Sequence, residues 1–280
     1  MHRKKGEDNM MMDTPQRKKE LSYRVWGREE NRPILLLHGF MGRGDDWQPI
    51  AQALARTHFV VAPDLPGHGG SCFDASVPFT MANSAEMVIN LLTKLNIERC
   101  DCLGYSMGGR TALYLATRFP HRFGRLILES ASPGLRTEQE QAARRRWDDH
   151  IAQRLEAESL QVFLESWYKM GLFASFRAHI RFEQAFEQRL ENVPHQLARS
   201  MRQMGTGSMP SLWEGWATLK NAALIVGELD AKYVGISAEM LTLNPAATRY
   251  VLPNAGHNTH FERPAEFLLL LQSHLANNPL

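Results

Sequence analysis

The sequence predicts an α/β fold: a mostly parallel sheet that is covered by helices on both faces and interrupted by an all-helical insertion. First, short apolar runs alternate with longer helical patterns along most of the 280 residues. Second, several of these runs are apolar on both faces, which is typical of buried parallel strands. Third, no convincing strand lies between Thr137 and about Leu219. A content of 44% hydrophobic and 22% charged residues suits one globular domain with an insertion.

The elements are predicted in chain order from these runs. Strands are predicted at 33–39, 59–67, 100–106, 125–131, 223–230 and 248–257. Helices are predicted at roughly 46–56, 81–96, 107–119 and 263–276. This alternation is that of βαβ units. We expect 21–136 and 220–280 to form the core of the domain and 137–219 to form a helical cap over the strand ends, with 1–20 as a disordered extension.

Composition limits the possible partners and the compartment. The net charge of +2 gives no field of the kind that marks nucleic-acid-binding proteins. Cys72, Cys100 and Cys102 are odd in number and lack metal-ligand spacing, which indicates thiols in a reducing compartment. No apolar stretch is long enough to span a bilayer, and the charged opening residues lack the apolar region of a secretory signal. We expect a cytoplasmic protein that binds a small molecule and neither nucleic acid nor membrane, with a monomer favoured.

A reactive serine is predicted at the end of the strand 100–106. The residues Gly104 to Gly108 fit G-x-S-x-G at a junction between a strand and a helix, where small neighbours permit the strained turn that exposes Ser106. Ligands of open α/β sheets bind at the carboxyl ends of the strands, where this serine lies. The alternative is that Ser106 only caps the helix that begins near Met107.

An acid and a base follow the serine in the order of an α/β-hydrolase fold. Asp230 ends the strand 223–230, and His257 follows the last strand. We predict that His257 takes the serine proton while Asp230 orients and stabilises the imidazole. His260 ranks second as the base, because no neighbouring glycine would turn it back toward the serine.

Two backbone amides are predicted to form an oxyanion hole. They belong to Met107, which follows the serine, and to Phe40, which follows the pair His38 and Gly39 at the end of the strand 33–39. The alternative for this pair is a plain turn after a strand. We expect neither a metal nor a cofactor.

A family resemblance rests on longer segments. These are LLLHGFMGRGDDW, VAPDLPGHGGS, LGYSMGGR, ASPGLRTEQEQAARRRWDD, ESWYKMGLF, GELDAKY and NAGHNTHFERP. Together they resemble the 2-succinyl-6-hydroxy-2,4-cyclohexadiene-1-carboxylate synthases of the menaquinone pathway over about residues 21–275. The triad segments are shared by the whole α/β-hydrolase superfamily, whereas GYSMGGR and the arginine and WY segments of the cap are specific to these synthases.

The resemblance implies a lyase on a hydrolase fold. In that family the triad removes a proton from a cyclohexene ring that carries an enolpyruvyl ether, and pyruvate leaves. Ser106 would then be a base activated by His257. The substrate carries three carboxylates. Arg110 lies four residues beyond Ser106 on the same helix face, so its guanidinium could bind one of these carboxylates through two of its nitrogens. The alternative is an ion pair with an acid of the cap.

The resemblance also implies further substrate-binding residues. They are Tyr105, Arg144, Trp167, Arg189 and Lys232. For Arg144 the alternative is a solvated helical pair with Asp148. Two other functions remain open: hydrolysis of esters or of carbon–carbon bonds in ring-cleavage products, and ligand reception without catalysis.

Overall fold

The structure, a computed structural model, describes residues 20–277. Nearly all of the extension expected at 1–20 lies outside these residues. The strands are β1 (Tyr23–Trp26), β2 (Arg32–Leu37), β3 (His58–Pro63), β4 (Cys100–Tyr105), β5 (Phe123–Glu129), β6 (Ala222–Gly227) and β7 (Thr248–Leu252). They form one sheet in the order β1-β3-β2-β4-β5-β6-β7. Only β1 runs antiparallel to its neighbour β3, so the predicted α/β fold with a mostly parallel sheet is confirmed.

Twelve α-helices accompany the sheet within residues 20–277. They are α1 (Gln48–Leu54), α2 (Met81–Lys94), α3 (Met107–Arg118), α4 (Glu138–Ala157), α5 (Leu160–Trp167), α6 (Ala174–Arg177), α7 (Phe182–Leu190), α8 (Pro194–Met204), α9 (Trp213–Thr218), α10 (Ala231–Leu243), α11 (Thr259–Glu262) and α12 (Pro264–Asn277).

The alternation of side chains along each strand fills two cores, one on each face of the sheet. On β2, Leu35 and Leu37 join the cluster that includes α2 and α3. Their neighbours Ile34 and Leu36 join the cluster on the other face, which includes α1 and α12. Burial on both faces explains why the strand reads as a continuous apolar run.

The sheet differs from the prediction at one edge and at several strand ends. The strand β1 was not predicted, because it has four residues, lies at the sheet edge and exposes Arg24 and Val25. The strands predicted at 59–67, 223–230 and 248–257 end earlier, at Pro63, Gly227 and Leu252. Residues 64–68 after β3 are as buried as the strand itself, so hydrophobicity alone does not mark where pairing stops.

Between β5 and β6 the chain forms the helices α4 to α9 and no strand. Helix α4 begins at a capping box, in which Thr137 accepts from the amide of Glu140 and the Glu140 carboxylate accepts from the amide of Thr137. The helices α4 to α8 enclose a third apolar cluster of their own, which includes Ile151, Phe163 and Leu197, whereas α9 packs into the first cluster. This separate core supports the proposal that 137–219 is a cap.

Candidate active site

Ser106 lies on a strained turn between β4 and α3. Its φ of 51° is in the left-handed region, which a residue with a side chain rarely adopts. The flanking glycines are needed because a Cβ on Gly104 would lie 2.3 Å from the carbonyl oxygen of Gly108, and one on Gly108 would lie 2.2 Å from that of Leu37. The Ser106 side chain makes no capping bond to α3, so the capping alternative does not describe it.

The serine, histidine and acid form a connected chain of hydrogen bonds. Nε2 of His257 lies 3.1 Å from Oγ of Ser106, and Nδ1 of His257 lies 2.6 Å from Oδ2 of Asp230. Asp230 is the N-cap of α10, where its other oxygen accepts from the amide of Tyr233. This second bond fixes the carboxylate toward the histidine. The arrangement can withdraw the serine proton and share the resulting positive charge.

His260 lies apart from the serine. Its Nδ1 lies 2.6 Å from Oε2 of Glu129, and its ring stacks on Trp47 at a centroid distance of 4.0 Å. The structure therefore brings His257, and not His260, to Ser106.

The loop that carries Phe40 is held by a buried histidine. Nδ1 of His38 donates to the carbonyl oxygen of Gly39 at 2.7 Å, and its Nε2 accepts from the amide of Leu65 at 2.8 Å. These two bonds require the neutral ring, and burial lowers the pKa of His38 accordingly. Phe40 and Met107, the two residues predicted to form the oxyanion hole, both line the pocket that contains Ser106.

This pocket has a volume of about 260 Å³ and lies between the strand ends and the helices α4 to α8. Its walls are rich in aromatic side chains: Phe40, Tyr105, Trp147, Trp167, Tyr168, Phe173, Phe176 and Tyr233. Four cations also line it, namely Arg110, Arg144, Arg189 and Lys232. No aspartate or glutamate of the described residues does so. An apolar pocket with cations and without acids suits an organic anion.

Arg110 has no carboxylate partner among residues 20–277. One of its terminal nitrogens donates to Oγ1 of Thr206, the other donates to the carbonyl oxygen of Met204 at 3.3 Å, and its buried Nε has no partner within the described chain. Burial lowers the pKa of Arg110 to about 10, and the nearby charge of Arg144 contributes to this shift.

Arg144 and Lys232 lie beside Arg110, and both keep nitrogens that a substrate carboxylate could use. Nε of Arg144 donates to Asp148 at 2.7 Å, which uses one of the three guanidinium nitrogens. Asp148 is buried and also accepts from the amide of Gly207, so this pair is not the solvated helical pair considered as the alternative. Burial, and then the nearby Arg144, lower the pKa of Lys232.

Comparison with known proteins shows the family to which the chain belongs. A family profile for the alpha/beta hydrolase fold matches residues 32–264. A 2-succinyl-6-hydroxy-2,4-cyclohexadiene-1-carboxylate synthase of Salmonella arizonae is 33% identical over 83% of this chain and 89% of its own length. The chain belongs to this synthase family. The resemblance seen in the sequence motifs is thus confirmed.

Two further proteins resemble this member of the synthase family. A solved structure of MenH from S. aureus superposes with a TM-score of 0.87 and 31% identity, and the match covers 91% of this chain and 98% of that one. The chloroplastic protein PHYLLO of Arabidopsis thaliana is 33% identical over 88% of this chain. The match spans 15% of PHYLLO, so the chain corresponds to one part of that longer protein.

In this member of the synthase family, Arg189 faces the pocket as one half of an ion pair. Its two terminal nitrogens each donate to one oxygen of Asp46 at 2.8 Å. Burial disfavours both charges, yet Asp46 raises the pKa of Arg189, and Arg189 lowers the pKa of Asp46. The guanidinium therefore has less free charge for a substrate than Arg110.

Tyr105 and Trp167 also lie in the pocket, where their rings face other aromatic residues. Tyr105 lies 5.4 Å from the ring of His257, and Trp167 lies 5.7 Å from that of Phe40. Sequence reasoning missed Tyr233, whose ring is 4.7 Å from His257. Its place three residues after Asp230, on the first turn of α10, is the signal that could have found it.

The part of the chain that the structure describes has neither a membrane-spanning helix nor a cluster of metal ligands. No helix within 20–277 is both long and apolar enough to cross a membrane. No group of three or more His, Cys, Asp or Glu side chains in that part of the chain is placed to hold a metal ion.

Proposed function

We propose that the protein eliminates pyruvate from 2-succinyl-5-enolpyruvyl-6-hydroxy-3-cyclohexene-1-carboxylate and gives 2-succinyl-6-hydroxy-2,4-cyclohexadiene-1-carboxylate. One observation carries the proposal beyond family membership: Arg110, Arg144 and Lys232 line the pocket beside Ser106, and no acid of the described chain lines it. The substrate bears three carboxylates. Positive charges in a confined pocket without acids attract such a substrate, whereas a neutral ester gains little from them.

The names of substrate and product define the bonds that change. A base removes the proton at ring carbon 2, and the electrons of that C–H bond form the double bond between carbons 2 and 3. The original double bond moves to carbons 4 and 5, and the bond from carbon 5 to the ether oxygen breaks. The enolpyruvyl group leaves as the enolate of pyruvate, which takes up a proton. No oxidant, metal or cofactor is needed.

In this proposal Ser106 is the base that touches the substrate. Alone it is too weak a base, but transfer of its own proton to Nε2 of His257, 3.1 Å away, activates it. Asp230 stabilises the imidazolium from the other side. Because carbon 2 carries the succinyl ketone, the negative charge moves onto the ketone oxygen, where the amides of Phe40 and Met107 can stabilise it. No acyl-enzyme forms.

A hydrolase of esters or of carbon–carbon bonds would share the triad and the cap, so product analysis separates the two functions. The purified chain is mixed with the enolpyruvyl substrate, and pyruvate is measured through lactate dehydrogenase while the diene is followed by its absorbance. The proposal predicts equal amounts of both products, and none from Ser106→Ala. Absence of pyruvate together with hydrolysis of a p-nitrophenyl ester at an ordinary enzymatic rate would favour the hydrolase.

The remaining expectations stay proposals. We propose a cytoplasmic location, which the three cysteines support, since Cys72, Cys100 and Cys102 all carry free thiols. We propose a small tricarboxylate as the substrate, no nucleic-acid partner, and a monomer.

A further inference from the structure

Glu129, the last residue of β5, contacts both the turn of Ser106 and the segment that follows His257. Its carbonyl oxygen accepts a hydrogen bond of 2.8 Å from the amide of Ser106. Its carboxylate accepts from Oγ1 of Thr259 at 2.6 Å and from the amide of His260 at 3.0 Å. These two donors lie in the segment that follows His257. One residue of the central sheet thus links the turn of the serine to the loop of the histidine.

The side chain of His260 completes this link. Its Nδ1 lies 2.6 Å from Oε2 of Glu129. The imidazole is held between Trp47, on which it stacks at 4.0 Å, and Tyr105, whose ring is edge-on at 5.2 Å. Tyr105 precedes the serine and also faces His257. The His260 ring therefore packs against Tyr105, a residue of the active site, and does not reach Ser106.

A second carboxylate holds the same loop from its other side. Oε2 of Glu262 accepts from the amide of Gly256 at 2.7 Å, and its Oε1 accepts from that of Asn258 at 3.2 Å. His257 lies between these two amides. The backbone on either side of the histidine is thus tied to Glu262, and the next turn is tied to Glu129.

The burial of Glu129 calls for an explanation. The residue is fully buried, and its only charged or chargeable partner in the described chain is His260, which is itself 5% exposed. Removing a carboxylate from water is costly, and a pair of apolar residues would often be at least as stable. A stabilising role alone does not account for the pair. Its directional bonds, however, suit a role in geometry.

We infer that Glu129 and His260 are positioning residues that set the distance between Oγ of Ser106 and Nε2 of His257. The lyase readout of this inference rests on the proposed function. A displacement of about 1 Å in a catalytic group can cost on the order of 100-fold in rate. Glu129→Gln keeps the shape but replaces one accepting oxygen with an amide that donates toward His260, so the loop must shift or the imidazole must change its tautomer.

The test compares Glu129→Gln with Asp101→Asn. Asp101 is also a fully buried carboxylate, but it lies near the start of β4, whereas Ser106 follows the end of that strand. Asp101 pairs with Arg125 and Arg32. Four quantities are measured on each full-length variant: the melting temperature, kcat and KM for pyruvate release, and the rate at which phenylmethylsulfonyl fluoride modifies Ser106. The last rate needs an activated serine but no lyase chemistry.

The inference predicts that Glu129→Gln lowers kcat and the sulfonylation rate by about 10- to 100-fold, with KM changed less than about threefold. Asp101→Asn should lower the melting temperature and leave both rates within about twofold of wild type. Thr259→Val removes one bond to Glu129 with little change of shape, and it should lower both rates by a smaller factor. This variant serves if Glu129→Gln does not fold.

Three outcomes decide the matter. Wild-type rates in Glu129→Gln and Thr259→Val, whatever their melting temperatures, would overturn the inference. Equal losses of rate in Glu129→Gln and Asp101→Asn would also overturn it, because a general loss of stability would then explain both. If wild type is sulfonylated but releases no pyruvate, the proposed function fails, and the sulfonylation rates still judge the positioning role.

Discussion

The backbone amide of Arg110 donates a hydrogen bond of 3.0 Å to the carbonyl oxygen of Ser106. This bond belongs to the first turn of α3, so the arginine lies one turn beyond the serine on the same helix face. Because its guanidinium pairs with no carboxylate of residues 20–277, its charge is available to a ligand in the pocket. Arg110 thus provides an available positive charge about one helical turn from Ser106, the proposed base.

The triad should behave as one unit. Ser106→Ala, Asp230→Asn and His257→Ala should each lower kcat by about 1,000-fold or more, because each removes a step of the same proton transfer. The double variant of Ser106 and His257 should be little worse than either single variant. Steady-state assays with circular dichroism melts check this. Near-normal turnover of His257→Ala would show that another group is the base.

The pair of Arg189 and Asp46 should matter most for stability. Their side chains are 8% and 12% exposed, so Arg189→Met leaves a buried carboxylate without its partner and should cost about 3 to 5 kcal/mol of unfolding free energy. Adding Asp46→Asn should recover part of that loss. A double-mutant cycle by urea denaturation measures the coupling. Unchanged stability with a large rise in KM would instead make Arg189 a substrate-binding residue.

Substrate capture should weaken at alkaline pH. Burial lowers the pKa of Lys232 below its usual value, whereas an arginine such as Arg110 keeps its proton. An amine that loses its proton no longer attracts a carboxylate, so kcat/KM for the tricarboxylate should fall as the pH rises through the lowered pKa of Lys232. Lys232→Arg should move this fall to higher pH. A neutral ester should show no such fall, and an identical fall on both substrates would assign the titration to the triad.

The sequence predicted what local spacing encodes. The glycines around Ser106, and the places of Asp230 and His257 after strands, follow from the turn that each strand end must make. The roles of Glu129 and Asp46 could not be predicted in this way. Glu129 meets His260 across 131 residues and Asp46 meets Arg189 across 143, and no short motif records either contact.

Strand ends and the sheet edge show a similar limit. Residues 64–68 are buried like a strand although they form a loop, because loops at the strand ends are covered by the cap. The strand β1 was missed for the opposite reason, since its residues are half exposed. The hydrophobicity of a segment indicates whether it is buried. Buried segments coincide with hydrogen-bonded strands only in the middle of the sheet.

Recognition of a substrate carboxylate by Arg110 distinguishes the proposed lyase from a hydrolase of neutral esters, and replacing this residue tests it most directly. Four proteins are compared: wild type, Arg110→Ala, Arg110→Lys and the control Arg154→Ala. Arg154 lies on the cap helix α4, where it pairs with Glu158 at 2.7 Å, and it does not line the pocket. The measurement is kcat/KM on the enolpyruvyl tricarboxylate and on a small neutral ester, with melts to verify folding.

Arg110→Ala should lose about 2 to 5 kcal/mol of transition-state binding energy on the tricarboxylate, as calculated from kcat/KM. On the ester its kcat/KM should change little. Arg110→Lys should recover only part of the loss, because lysine keeps the charge but not the two-pronged geometry. Arg154→Ala should match wild type on both substrates. An equal loss of kcat/KM on both substrates, or no loss on either, would contradict carboxylate recognition by Arg110 and make it a structural residue.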